Sequence, residues 1–218
     1  MSRYIVSEHP QGTPGWFKDR LGFVTGSVVK AVFATIKSGE AAARADLRVD
    51  LCLQLITGDV PEQGFKSLEM IWGTEKEPLA RLAYEMATGN DVEESGFVYL
   101  ADGTKAGCSV DGFTKDGGRI GLVEFKCPKS KTHWNYIKDG KAPAEYMPQI
   151  VHNLWITGAE FCDFMSFDPR MPEGLQTFLI RVERDEAAIQ AHAAGVMEFL
   201  ETVKAEEASM RARMKQTS

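Results

Sequence analysis

The sequence predicts a single α/β domain in which helices come first, a largely antiparallel sheet occupies the middle, and further helices flank it. Three observations carry that reading. Apolar residues recur at helical spacing up to about residue 89, and from Val92 the period shifts toward two. Turn-forming clusters, Ala101-Asp102-Gly103 and Lys115-Asp116-Gly117-Gly118, punctuate the middle third. The 218 residues, 44% of them hydrophobic, suffice for one substantial core, and no linker, repeat or low-complexity segment divides them.

The elements follow in order. After a polar start, Pro14 to Leu21 reads as a short helix with Trp16 and Arg20 four residues apart on one face. Thr25-Gly26-Ser27 reads as the cap of a second helix reaching about Thr35. A longer helix runs from about Glu40 to Ile56 and stops at Thr57-Gly58. Another begins near Ser67 and ends at Thr88-Gly89, with a break or fresh start expected near Glu77 because Pro78 cannot continue the backbone ladder. Strands are expected at 92–100, 105–111 and 119–126, helices at 130–138 and 144–157, and strands at 161–167 and 176–183. The last segment, Asp185 to about Met214, carries Ile189, Ala193, Val196, Leu200 and Val203 along one helical stripe.

Composition narrows the function. No charged-then-apolar leader and no apolar run of membrane length is present, so a soluble intracellular protein without a membrane partner is expected. Cys52, Cys108, Cys127 and Cys162 are scattered singly, which fits a reducing compartment and argues against zinc or an iron–sulfur cluster. A net charge of −6 counts against a nonspecific nucleic-acid coat protein. Distribution matters more than the sum: Lys126, Lys129, Lys131, Lys138 and Lys141 face the single acid Asp139, with His133, Trp134 and Tyr136 among them. That mixture suits a nucleic-acid backbone, with a solvated loop around one core aromatic as the plain alternative.

The chemistry concentrates between residues 109 and 128. Val123-Glu124-Phe125-Lys126 alternates as a strand does, which puts Glu124 and Lys126 on one face of a sheet, and Asp111 reaches that face from the neighbouring strand. Two carboxylates are hard oxygen ligands suited to Mg²⁺, and a lysine beside them can orient water or stabilise charge growing on a phosphate. Taken alone, Asp-Gly is a common turn and Glu-x-Lys is more often a solvated pair. The otherwise apolar strand and the basic segment after it favour chemistry.

Asp111 with Glu124-x-Lys126 resembles the core of the PD-(D/E)-x-K nuclease superfamily, and the surrounding segments resemble the bacteriophage lambda exonuclease family, the YqaJ-type viral recombinases. The supporting motifs are Gly15-Trp16-Phe17-Lys18-Asp19-Arg20-Leu21-Gly22 with Thr25-Gly26-Ser27, then Trp72-Gly73-Thr74-Glu75-Lys76-Glu77, Tyr146-Met147-Pro148-Gln149 and Phe167-Asp168-Pro169-Arg170-Met171. Together they span about residues 14 to 186. The resemblance implies a restriction-endonuclease-like mixed central sheet flanked by helices, in one nuclease domain over residues 1–218.

The resemblance also implies roles. Asp111, Glu124, Glu77 and the carbonyl oxygen of Phe125 would hold two Mg²⁺ ions roughly 3.5–4 Å apart, with Mn²⁺ as a substitute. For Glu77 the alternative is a surface glutamate paired to Arg81 at i+4. Lys126 and Gln149 would complete the catalytic set, although Gln149 also fits a buried structural amide. Arg20, Ser27 and Ser109 match positions that grip a 5′-terminal phosphate; for each serine, turn or capping duty is the alternative. Trp16, Lys129, Lys131 and Tyr146 complete the DNA-contacting residues. Three departures stand out: Val110 replaces the superfamily's proline, Thr132 falls where a further basic residue is expected with Lys131 beside it, and the loop from Asp111 to Glu124 is longer.

The implied function is a Mg²⁺-dependent exonuclease that degrades one strand of linear double-stranded DNA from the 5′ end to mononucleotides and leaves a 3′ overhang. Its implied partners are double-stranded DNA ends, two further copies in a homotrimeric ring, and a single-strand annealing protein. The setting is phage or prophage recombination in the cytoplasm of a bacterial host. An endonuclease of restriction or repair type is the first rival, disfavoured by the end-gripping pair Arg20 and Ser27. A noncatalytic DNA-binding subunit is the second, disfavoured by the intact catalytic positions.

Overall fold

Two sheets form where the sequence suggests one. In the computed structural model, which describes residues 2–59 and 68–216, the strand expected at 92–100 is two strands belonging to different sheets. β3 (Val92–Glu93) joins the larger sheet and β4 (Val98–Leu100) the smaller. Gly96 marks the switch, because a Cβ there would lie 2.2 Å from the carbonyl oxygen of Ser7. Only glycine lets the two backbones come that close.

The smaller sheet has the order β1-β4-β5-β2, with β1 (Tyr4–Val6), β5 (Ala106–Cys108) and β2 (Val24–Thr25). The larger has the order β3-β6-β7-β8-β9, with β6 (Gly112–Asp116), β7 (Arg119–Lys126), β8 (Phe161–Phe167) and β9 (Thr177–Glu183). Both are mixed: β2 with β5 and β7 with β8 run parallel, and the other pairs antiparallel. The hairpin from β6 to β7 turns on Gly117 and Gly118, whose φ angles of 57° and 88° are what a two-residue turn between twisted strands requires.

The helices are α1 (Pro14–Asp19), α2 (Val29–Val32), α3 (Ala42–Thr57), α4 (Leu68–Thr88), α5 (Ser130–Asp139), α6 (Met147–Thr157) and α7 (Glu186–Gln216). The start expected near Ser67 lies outside the described residues. α4 runs unbroken through Pro78, so the break expected near Glu77 is absent. One forfeited backbone hydrogen bond is outweighed by the packing of Ala80 and Tyr84 in an apolar cluster with Val92, Val123, Phe125, Met165 and Phe167. α2 is much shorter than expected, and Ser27 does not cap it: the Ser27 hydroxyl pairs with that of Thr25 at 3.2 Å, and Val28 precedes the helix without a side-chain cap.

Period-two alternation sorts β7 between two packing layers. Val123 and Phe125 join α4, whereas Leu122 packs in the main core with Ile150 and Leu154 of α6. β8 is buried along its whole length, as a central strand covered on both faces must be. Because β7 and β8 are parallel, the chain returns through α5 and α6, and this crossover lays α6 against the face that carries Glu124. α4 is locked down by a network that runs from the core to the surface: the Tyr84 hydroxyl donates to the buried Asp163 at 2.8 Å, and Arg181 donates to both oxygens of Asp163 at 2.8 and 2.9 Å and to Asp116 at 2.6 Å. No described helix is long and apolar enough to cross a membrane.

Candidate active site

Glu124 occupies the centre of a ring of donors. It is 1% exposed, and its Oε1 accepts from Gln149 Nε2 at 2.7 Å and from the Lys126 ammonium, while Oε2 accepts from Asn153 Nδ2 at 3.4 Å. Lys126 lies two residues along β7 on the same face, as the alternation predicts. Gln149 and Asn153 lie four apart on α6, so one helical face presents both amides. Asn153 had no signal in the sequence beyond that spacing, and its contribution was missed.

Asp111 directly precedes β6, whose Gly112 is in register with Val123. Its Oδ2 accepts the backbone N–H of Phe125 at 2.6 Å, which holds the carboxylate beside β7. Burial pushes the Asp111 carboxyl well above the usual carboxylate range, and the negative charge of Glu124 adds to the effect. Glu77, on α4, is raised for the same reasons: burial first, with Glu124 and Glu94 adding to it while Lys126 and Arg81 oppose it. Arg81 itself pairs with Glu94 at 2.5 Å. Burial works against the charged form of Lys126, but Glu124 and Asp111 outweigh it and hold the ammonium above its ordinary value.

A cleft of about 900 Å³ opens on Glu77, Asp111 and Lys126, while the buried Glu124 and its partner Gln149 are not part of its wall. Its walls include Glu77, Asp111, the Phe125 and Lys126 end of β7, Lys129, Tyr146 and Thr132. The Tyr146 ring lies 5.1 Å from the Lys126 nitrogen. Lys131 is exposed and does not line this cleft, whereas its neighbour Thr132 does. The carboxylates of Asp111, Glu77 and Glu124 are hard oxygen donors that fit a divalent cation, whose charge would relieve their repulsion. Among the described residues, no three such side chains converge closely enough to enclose an ion as they stand, with Glu124 drawn to its lysine and amides and Asp111 to a backbone N–H.

A second cluster lies beside the first. The Arg20 guanidinium sits 4.1 Å over the Trp16 ring, and both Arg20 Nη1 and Trp16 Nε1 donate to Ser109 Oγ, the latter at 3.1 Å. Burial lowers Arg20 to about 10, which leaves it charged at neutral pH. Thr25 pairs with Gly107 in the parallel β2–β5 register, so Ser27 and Ser109 each follow two residues past that pair. Between them, Gly26 packs against α6: a Cβ there would meet Asn153 Oδ1 at 2.5 Å and Gln149 Cγ at 3.2 Å. One face of α6 therefore touches both Gly26, next to Ser27, and Glu124.

Residues 15–160 match the YqaJ-like viral recombinase domain family. The solved structure of an alkaline exonuclease from Laribacter hongkongensis, LHK-Exo, is 36% identical over 94% of this chain and 100% of its own, with a TM-score of 0.83. LHK-Exo in complex with dAMP gives the same identity and coverage and a TM-score of 0.85. A phage-related exonuclease from Haemophilus somnus is 13% identical, covers 88% of this chain and 96% of its own, and gives a TM-score of 0.59, a likeness of fold alone. No curated protein matches the chain.

Proposed function

The chain belongs to the YqaJ-like viral recombinase domain family, and we propose that it is a Mg²⁺-dependent exonuclease acting on linear double-stranded DNA. It degrades one strand from the 5′ end, releases mononucleotides and leaves a 3′ single-stranded overhang. The nuclease role itself is supported by the likeness to the alkaline exonuclease LHK-Exo. What supports the finer reading is that Gln149 and Asn153, on one face of α6, hold Glu124 and also pack against Gly26, next to Ser27, in the segment proposed to grip the phosphate with Arg20 and Ser109.

Asp111, Glu124, Glu77 and the Phe125 carbonyl would hold the cation, two Mg²⁺ ions or Mn²⁺ in their place. When bound, such ions supply positive charge that polarises the phosphodiester and the attacking water. The remaining work falls to the chain. Gln149 and Asn153 fix the Glu124 carboxylate in one orientation, and Lys126 brings a permanent positive charge to where the phosphate develops negative charge. Arg20 offers a planar fork matched to phosphate oxygens, held in place by stacking on Trp16. Tyr146 and Lys129, which line the cleft, would border the strand, and the exposed Lys131 would meet it beyond Thr132.

The proposal extends to one domain over residues 1–218, a homotrimeric ring on the DNA, delivery of the overhang to a single-strand annealing protein, and a phage or prophage setting in the bacterial cytoplasm. These extensions rest on family membership. The deciding experiment incubates linear duplexes bearing a 5′-phosphate or a 5′-hydroxyl, and a closed circle, with Mg²⁺. Faster loss of the phosphorylated strand, an intact circle and full dependence on the ion are expected. Cleavage of the circle, or activity in excess chelator, overturns the proposal.

A further inference from the structure

Arg170 follows β8 in a segment to which neither the sequence nor the proposed mechanism gives a role. β7 and β8 are parallel, with Lys126 in register with Ser166, so the residues that follow the two strands emerge side by side. Asp168 is fully buried and receives Arg170 Nε at 2.7 Å and Nη2 at 3.0 Å, and Nη2 also donates to the carbonyl oxygen of Pro128 at 3.0 Å. The guanidinium lies 4.4 Å over the ring of Trp72, itself 4.8 Å from the Lys76 nitrogen. These contacts engage Nε and Nη2 and fix the plane of the group. Nη1 takes no part in them, the side chain is 45% exposed, and both Arg170 and Trp72 line the cleft of Glu77, Asp111 and Lys126.

A loop clamp alone would explain the pairing with Asp168. It would not explain why the guanidinium is held flat against Trp72 at the cleft wall with Nη1 unengaged and the side chain 45% exposed to the cleft. An oriented guanidinium with a free N–H edge facing a cleft is a ready partner for an anion such as a phosphate oxygen. Arg170 is tied to the carbonyl of Pro128, two residues from Lys126, and shares its cleft, so such an anion would neighbour the reacting position.

We propose that Arg170, stacked on Trp72, is a binding residue for a DNA phosphodiester next to the scissile one. The identity of the anion rests on the nuclease reading above. It follows that the strand is held at two points in the cleft, by Lys126 at the reacting phosphate and by Arg170 at its neighbour.

The test measures binding of a labelled duplex end in Ca²⁺ over a range of salt, without relying on cleavage. Arg170→Gln should weaken binding about 10- to 100-fold, the range for a charged hydrogen bond, and reduce the salt slope by about one phosphate contact. Arg170→Lys keeps the charge and should keep the slope. Lys204→Gln, an exposed charge on α7, controls for net charge. A clamp role predicts that Gln and Lys behave alike, and that result overturns the proposal, as does wild-type affinity in Arg170→Gln. Should Arg170→Gln fail to fold, single methylphosphonate replacements along the strand decide with the wild-type protein: an affinity loss at the neighbouring phosphate supports the subsite, and no loss there overturns it. If the wild type binds no duplex end at all, the nuclease reading falls first.

Discussion

Acid should loosen this fold through one buried histidine pair. His152 and His192 share a hydrogen bond of 3.0 Å between Nδ1 and Nε2, and His152 Nε2 is 3.1 Å from the carbonyl oxygen of Gly107. A consistent proton arrangement has His192 donating to His152, which donates to Gly107, with both rings neutral. Burial, with a smaller contribution from His192, pushes His152 down to about 3, and burial pushes His192 down to about 4. Both folded values lie below the ordinary histidine value of about 6.5, so the unfolded chain binds more protons between them. Stability is therefore fully present above about pH 6.5 and is lost as pH falls toward the folded values. At pH 5 each histidine contributes a loss of about 2 kcal/mol, about 4 kcal/mol for the pair as an upper figure. With 218 residues and an unfolding entropy of about 2.1 cal/mol/K per residue, that is a fall in Tm of about 9 °C. Calorimetry at pH 8 and pH 5 on the wild type and on the double variant His152→Gln/His192→Gln isolates this share, because protonation of carboxylates is common to both. An equal fall in the two proteins would refute the reasoning.

Three further outcomes are expected. Asp111→Asn and Glu124→Gln should each abolish almost all strand degradation while leaving the circular dichroism spectrum unchanged; retention of a tenth of the wild-type rate, read on a linear duplex, contradicts their assignment. Gln149→Leu removes one donor to the buried Glu124 carboxylate, and the loss of a hydrogen bond to a charged group, about 1.5–3 kcal/mol, should lower kcat/KM about 10- to 100-fold in steady-state assays. Arg181→Leu leaves Asp163 buried without its bidentate partner, a change of about 3–5 kcal/mol that should lower Tm by about 7–11 °C in a thermal scan.

How much was legible depended on how local each signal is. β7 and β8 agree with expectation to the residue, because long alternating or apolar runs bounded by glycine and proline leave little freedom. α3 ends at Gly58, whose φ of 69° is the left-handed stop that its sequence announces. β1 and β2 were not legible: two or three residues have no period, and their pairing is decided by partners up to about a hundred positions away. Residues 112–116 were also not separated as a strand, because β6 sits within a glycine-rich hairpin. Within the site, the common face of Glu124 and Lys126 follows from alternation alone. Gln149 was reached only through resemblance, and Asn153 and Arg170 depend on tertiary contacts that no local pattern encodes.

The Gly117–Gly118 turn gives the molecule a handle. It lies at the far end of the β6–β7 hairpin from Asp111, five β6 residues away, or about 17 Å along the ribbon. Arg119 at its base is tied to Glu160, just before β8, and to Glu183 at the end of β9, so the ribbon is anchored at that end as well. The longer hairpin noted in the sequence therefore grows away from the cleft. A fluorophore or surface tether inserted between the two glycines would share a continuous hairpin with Asp111 and Glu124 and keep clear of the cleft. The protein could be mounted on a support by this point with its working end facing solution.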